Sequence, residues 1–145
     1  MKITTRVEYG IAALADIAIH SADGGKVSTP EISQRQQISQ KYLEQILMLL
    51  RQGGFVRAVK GQHGGYSLAK SADKIRISDV LDILDNSILA DATEIEANTG
   101  IRPSVKSCLW DRMNACLRCF AEHLTLSDFL ELQRDETAAG DFYSI

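Results

Sequence analysis

The stretch ISQKYLEQILMLLRQGGFVRAVKGQHGGYSLAK, residues 38–70, changes its period half-way along. In its first half Leu43, Ile46, Leu47 and Leu50 recur every three to four residues, the spacing of one buried helical face. Ser39 stands where an N-cap belongs, and Gly53-Gly54 where such a helix stops. Beyond the glycines, FVRAVK and GYSLAK are short alternating segments joined by GQHGG, which predicts a β-hairpin. Gly61, Gly64 and Gly65 let the chain turn and bring backbone close to a ligand. A phosphate cradle is excluded, because a strand and not a helix start follows the glycines.

Working outward, TRVEYGIAALADIAIHSADGG carries Val7, Ile11, Leu14, Ile17 and Ala18 at helical spacing and ends at Gly24-Gly25. Ser28 and Glu31 form a capping box, with Pro30 in the first turn of a short helix. Past the hairpin, ISDVLDIL predicts another short helix capped by Ser78. The segment DNSILADATEIEANTGIRP is polar and predicts an irregular loop. A long helix is expected from Ser104 to about Leu124, then a short one in TLSDFLELQRDE with Thr125 and Asp128 as a capping pair. The expected fold is mostly α with a small β-hairpin. A winged helix-turn-helix domain spans 1–86, a loop 87–103, dimerisation helices 104–134 and a flexible tail 135–145.

The net charge of −3 is unevenly spread. Between Lys26 and Arg76 nine basic residues meet only Glu31, Glu44 and Asp73, whereas from Ser87 onward five basic residues face ten acids. A basic half of this kind can bind a polyanion locally. The helix after Ser39 is then the recognition helix. Lys41, Glu44, Gln45 and Met48 lie opposite its buried stripe, with Gln40 at the edge. Gln pairs with adenine, Glu accepts from cytosine, and Ser39, Lys41 and Tyr42 hold phosphates or sugar. On the hairpin, Arg57 adds positive charge, Lys60 is placed to enter the minor groove, and His63 at the tip adds a pH-sensitive contact. An enzyme is not expected: there is no Ser-His-Asp arrangement, P-loop or dinucleotide fingerprint, and His20, His63 and His123 lie far apart. Neither a membrane-spanning run nor a signal peptide is evident, and Cys108, Cys116 and Cys119 are an odd number of thiols. A cytoplasmic, reducing location is therefore expected.

The segments ISQKYLEQIL, LLRQGGFVRAVKGQHGGYSLAK, ISDVLDILD and LTLSDFLELQ resemble, over nearly the whole chain, the Rrf-two type of bacterial winged-helix regulators. That family includes an iron–sulfur-cluster regulator, a nitric-oxide-sensing repressor and a cysteine-metabolism repressor. The resemblance implies a homodimeric transcription regulator, here a repressor, on a dyad-symmetric double-stranded DNA operator. It further implies a long C-terminal helix paired across the dimer and a wing entering the minor groove at Lys60. Members carry Lys/Arg-Gly-Arg-Tyr in the first helix. Here the stretch is RVEY, so Arg6 and Tyr9 match as DNA-side residues, while Val7 and Glu8 depart and Glu8 removes positive charge.

Cluster-binding members resemble one another in holding three cysteines in the loop before the long helix. Here residues 86–103 contain none, which aligns the chain with the cysteine-metabolism branch and against an iron–sulfur cluster. Leu109, Met113, Leu117, Phe120 and Leu124 form one stripe of the helix, and Cys116, Cys119 and His123 run beside it. The bland account makes these last three interface-flanking residues. A zinc site would need a further ligand, such as one from the other subunit. As a redox switch, a disulfide between subunits fits better than one within the helix. In that same branch the ending GDFYSI suggests docking of the tail to O-acetylserine sulfhydrylase, whose active site accepts C-terminal isoleucine peptides.

Overall fold

Local capping sets the helix starts. The computed structural model describes residues 1–91 and 99–143, with side chains as far as Asp141. Helix α1 (Thr5–His20) begins where the Thr4 hydroxyl accepts the Val7 N–H, and it buries Val7, Ala13, Leu14 and Ile17. Helix α2 (Thr29–Gln36) opens on the expected capping box: the Ser28 hydroxyl accepts the Glu31 N–H, and the Glu31 carboxylate accepts the Ser28 N–H at 2.7 Å. Gln37, in the left-handed region at φ 56°, turns the chain toward α3 (Gln40–Gln52). There Ser39 Oγ accepts the Tyr42 N–H at 3.2 Å, and Leu43, Ile46, Leu47 and Leu50 are buried as the period requires.

Strands β1 (Val56–Val59) and β2 (Gly65–Leu68) pair antiparallel, Val56 opposite Leu68 and Val59 opposite Gly65. The hairpin is also stitched to the segment ahead of α2. Val27 donates to the Tyr66 carbonyl at 2.9 Å, and Tyr66 donates back at 2.7 Å. That rung places Lys26 and Val27 against the wing, a contact with no pattern in the sequence to announce it.

Helix α4 (Ile77–Leu84) packs against α1 and α3. Its cap corrects the expectation. Arg76, not Ser78, is the N-cap, and Ser78 lies buried inside the first turn. A hydroxyl cap is unnecessary because the orphan Ile77 N–H donates to the Leu124 carbonyl at 2.9 Å, and Leu126 N–H donates to the Ile75 carbonyl at 2.8 Å. After α4 the described residues form turns and irregular chain, as their polarity predicts, but the segment is not wholly exposed. Ile88 and Leu89 are buried, and Arg118 and Asn114 donate to the Leu89 and Ala90 carbonyls at 2.5 and 2.6 Å. The centre of the expected loop, residues 92–98, lies outside the described residues.

Helix α5 (Arg102–Val105), a π-helical turn (Lys106–Trp110) and α6 (Asp111–His123) follow without leaving helical dihedrals. The π turn is closed by two local contacts. Asp111 N–H donates to the Lys106 carbonyl five residues back, and Lys106 Nζ donates to both Asp111 carboxylate oxygens at 2.8 and 2.9 Å. Helix α7 (Leu126–Tyr143) starts with the expected reciprocal pair, Thr125 N–H to Asp128 at 3.0 Å and Asp128 N–H to Thr125 at 3.1 Å. It is not short, however: the helix continues through residues 135–143. The segment has two alanines and no proline, and one glycine alone does not stop a helix. Gln133 and Thr137, one turn apart, hydrogen-bond across this part at 2.8 Å. No helix among the described residues is long and apolar enough to cross a membrane.

One charge is buried where α1 meets α2. Asp16, 2 % exposed, accepts Arg35 Nε and Nη2 at 2.9 and 2.8 Å and Gln36 Nε2 at 2.8 Å. Burial pushes its carboxyl up, but the hydrogen bonds from Arg35 and Gln36, with the charges of Arg35 and His20, outweigh burial and hold it below 3.8. The folded state thus binds this proton less readily than the unfolded chain does. The carboxylate contributes its full stability above the unfolded value of 3.8, and that contribution is lost as pH falls through the lower folded value. Asp16→Asn is expected to cost about 1–3 kcal/mol in urea unfolding at neutral pH, because a buried amide N–H2 then faces the donors Arg35 and Gln36 where a carboxylate oxygen accepted, and to flatten the acid limb of the stability profile. Unchanged stability at both pH values would remove this pair from the account of how α2 is held.

Candidate nucleic-acid interface

The buried stripe of α3 fixes which side chains face out. Gln40, Lys41, Glu44, Gln45 and Met48 are exposed, and Ser39 is exposed at the cap. Ser39 Oγ spends a lone pair on the Tyr42 N–H yet keeps its own O–H to donate, as a phosphate contact requires. Tyr42 is half-buried because its ring meets Tyr9 edge-on, with centroids 5.7 Å apart and planes at 87°. Tyr9 comes from the first turns of α1, so the aromatic pair brings the start of α1 to the start of α3. Thr5, Tyr9, Gln37, Ile38, Ser39 and Tyr42 line a shallow groove there of about 400 Å³.

Arg6 is exposed one turn before Gly10, and Glu8 is exposed beside it. The Asp85 carboxyl lies below its ordinary value chiefly through hydrogen bonds from the Ser87 hydroxyl and N–H, with a smaller contribution from the Arg6 charge. Arg6 is therefore partly balanced by an acid of the same domain. Val7, the other departure in this stretch, is a core residue at 2 % exposure.

The wing is built by its glycines. Gly61 takes φ +123°, and its carbonyl accepts the Gly64 N–H at 3.0 Å. A Cβ on Gly64 would collide with the Val59 carbonyl oxygen. The turn leaves Lys60 and His63 exposed near the tip. Arg57 is placed differently. Its Nε donates to Ser67 Oγ at 3.0 Å, directly across the ladder, and it lines a groove at the base of the hairpin with Lys26 and Lys70. The expected DNA-facing set thus falls into an α3 group with Ser39, Gln40, Lys41, Tyr42, Glu44 and Gln45, a wing-tip group with Lys60 and His63, and Arg57 at the wing's base. Sequence alone marks Lys26 and Lys70 only as positive charge. Their place beside Arg57 depends on the Val27 rung and the hairpin register, which no local spacing encodes.

Cys108 lies in the π turn and Cys116 and Cys119 on α6, all three exposed with free thiols. Cys119 Sγ is 3.7 Å from His123 Nδ1, which itself sits 2.8 Å from the Cys119 carbonyl oxygen. Beside them Leu109, Trp110, Met113 and Phe120 are exposed apolar residues on the same helix, while Leu117 packs inward against the core.

A family model described as iron-dependent transcriptional regulator, Rrf2, matches residues 3–132. The HTH-type transcriptional regulator IscR of Cereibacter sphaeroides is 36 % identical over 136 residues, covering 90 % of this chain and 88 % of its own. That of Erwinia tasmaniensis is 35 % identical, covering 92 % and 81 %. Among solved structures, CymR (YrzC), the global cysteine regulator of B. subtilis, superposes with a TM-score of 0.78 at 27 % identity over 91 % of this chain and 98 % of its own. T. potens IscR gives 0.72 at 31 % identity over 90 % and 87 %.

An iron-dependent family implies an iron site, and the donor set tests it. No three His, Cys, Asp or Glu side chains converge on one point among the described residues, and the thiols all project from a single helix. The described residues of one chain do not fit such a site. For the wing, Gly64→Ala is expected to force the turn open at a strain of about 1–3 kcal/mol. Hydrogen exchange should show lost protection in β1 and β2, and operator DNA should bind more weakly, while α1 keeps its protection. An unaltered hairpin in that variant would show that the turn tolerates a side chain.

Proposed function

The chain belongs to the Rrf2 family of transcriptional regulators, and from that premise we propose that it is a homodimeric repressor that reads a dyad-symmetric operator with α3 and the wing. It is a DNA-binding regulator and not an enzyme, as its relatives are named. The observation that carries the docking is the polar, exposed start of α3, braced by the Tyr9–Tyr42 pair and followed by a glycine-built wing. Gln40, Glu44 and Gln45 are placed to meet base edges, Ser39, Lys41 and Tyr42 to meet the backbone, and Lys60 with His63 to enter the minor groove. Arg6 contributes a backbone contact weakened by Glu8 and Asp85. The exposed apolar face formed by Leu109 of the π turn with Met113 and Phe120 of α6 supports pairing of two copies, the arrangement that a two-fold operator needs.

The regulated genes in this reading are those of cysteine or sulfur metabolism. Support comes from the CymR superposition, with a neighbour described as a global cysteine regulator, and from thiols that do not gather into a cluster site. The sulfhydrylase partner is not part of this reading. The observations give it no support, and the helix draws in the C-terminal segment as far as Tyr143, with residues 144–145 outside the described residues. A second reading, regulation by an iron–sulfur cluster, a metal or thiol oxidation, is favoured by the 36 % identity to an IscR protein. Protein purified anaerobically is expected to carry neither visible absorbance nor stoichiometric iron or zinc. A bound cluster in such a sample would give the second reading precedence.

The docking is tested by operator titrations across salt concentrations. Lys41→Ala and Lys60→Ala are each expected to weaken binding, and each phosphate contact removed should flatten the log–log salt slope by about 0.9. Two chains should bind per operator. Affinity and slope unchanged in both variants would reject this docking face.

A further inference from the structure

The groove at the base of the wing has a charge that the docking of α3 does not use. It encloses about 420 Å³ between the end of α1, the residues ahead of α2 and the start of the segment after β2. Lys26, Arg57 and Lys70 line it, and no carboxylate does. Nor are these cations neutralised from elsewhere. The ion pairs among the described residues use Arg35, Arg76, Lys106 and Arg118. Lys70 Nζ sits 5.2 Å above the Phe55 ring, a cation–π contact that supplies no formal counter-charge.

Arg57 is the organised member. Ser67, 8 % exposed, accepts its Nε at 3.0 Å, so the guanidinium is anchored through one nitrogen. Its two terminal nitrogens have no partner among the described residues and keep the planar fork that matches an oxyanion. Ser21, at the wall, already donates its hydroxyl to the Ile17 carbonyl at 2.5 Å and is not a competing donor. An anchored arginine between two uncompensated lysines, in a concave site with no acid, has the chemistry of an anion seat.

We propose that this groove binds a phosphate-class oxyanion. Lys26 adjoins Val27, whose backbone bridges Tyr66, so a ligand held by Lys26, Arg57 and Lys70 spans both sides of that rung. It ties the segment leading into α2 to the hairpin that carries Lys60, and in doing so stiffens the wing relative to the helix-turn-helix. The oxyanion has two sources, a free small anion acting as an effector or a phosphate of the bound DNA backbone. The recognition chemistry is the same for both.

The test titrates the full-length protein with inorganic phosphate at constant ionic strength, followed by amide NMR. Saturable shifts are expected at Lys26, Val27, Ser67 and Lys70, and Arg57→Gln combined with Lys70→Gln should weaken that binding at least fivefold. Lys74→Gln, an exposed cation outside the groove, should leave it unchanged. Circular dichroism melting of the double variant checks that it is folded, as expected for substitutions at exposed positions. Shifts that never saturate, or equal affinity in the folded double variant, overturn the proposal. Repeating the titration on operator-bound protein separates the sources. Phosphate binding that persists identifies a free oxyanion, and phosphate binding abolished by the operator identifies the DNA backbone, both consistent with an oxyanion seat.

Discussion

Leu43, Ile46, Leu47 and Leu50 each keep 1 % or less of their surface in contact with solvent, and α1, α2, α4 and β1 all pack against the helix that carries them. Burying four large aliphatic side chains on one face is worth on the order of 6–12 kcal/mol of transfer free energy, more than any capping or ion-pair contribution in the domain. The helix therefore cannot rotate about its axis without exposing part of that face, and its opposite side is committed to solvent. The exposure of Gln40, Lys41, Glu44 and Gln45 is a consequence of that burial. So is the direction of the hairpin, since Phe55 and Val56, buried at the start of β1, continue the same core.

Around that helix the smaller interactions fix angles. Asp16 takes hydrogen bonds from both Arg35 and Gln36 and so pins the end of α2 to the middle of α1. Tyr9 against Tyr42 pins the beginning of α1 to the beginning of α3. A helix-turn-helix held at both ends in this way presents its outer face with little freedom to tilt, and a rigid presentation is what positions side chains against base edges.

Where a feature is written in local spacing, the sequence announces it. The four-residue stripe of α3, the Ser28–Glu31 and Thr125–Asp128 caps, the alternation of the hairpin and the glycines at its tip all depend on residues within one or two turns of each other. What depended on distant partners stayed hidden. Ser78 has the chemistry of a cap but is displaced from that role by a backbone carbonyl from Leu124. Ile88 and Leu89 sit in a polar stretch yet are buried, where Asn114 and Arg118 of α6 donate to the Ala90 and Leu89 carbonyls. The basic groove gathers Lys26, Arg57 and Lys70 from three separated segments. The length of α7 is hidden for a different reason: its later residues are polar and small, and nothing among them breaks a helix.

The paired hydrogen bonds between Val27 and Tyr66 carry one more implication. An isolated two-stranded ribbon is marginal in water, and a wing of this kind would open and close independently of the domain behind it. Here the inner strand is flanked on its second side, and the flanking residue is buried at 1 % exposure. The wing is thereby tied to the segment ahead of α2, and its strands open less readily than those of a free ribbon.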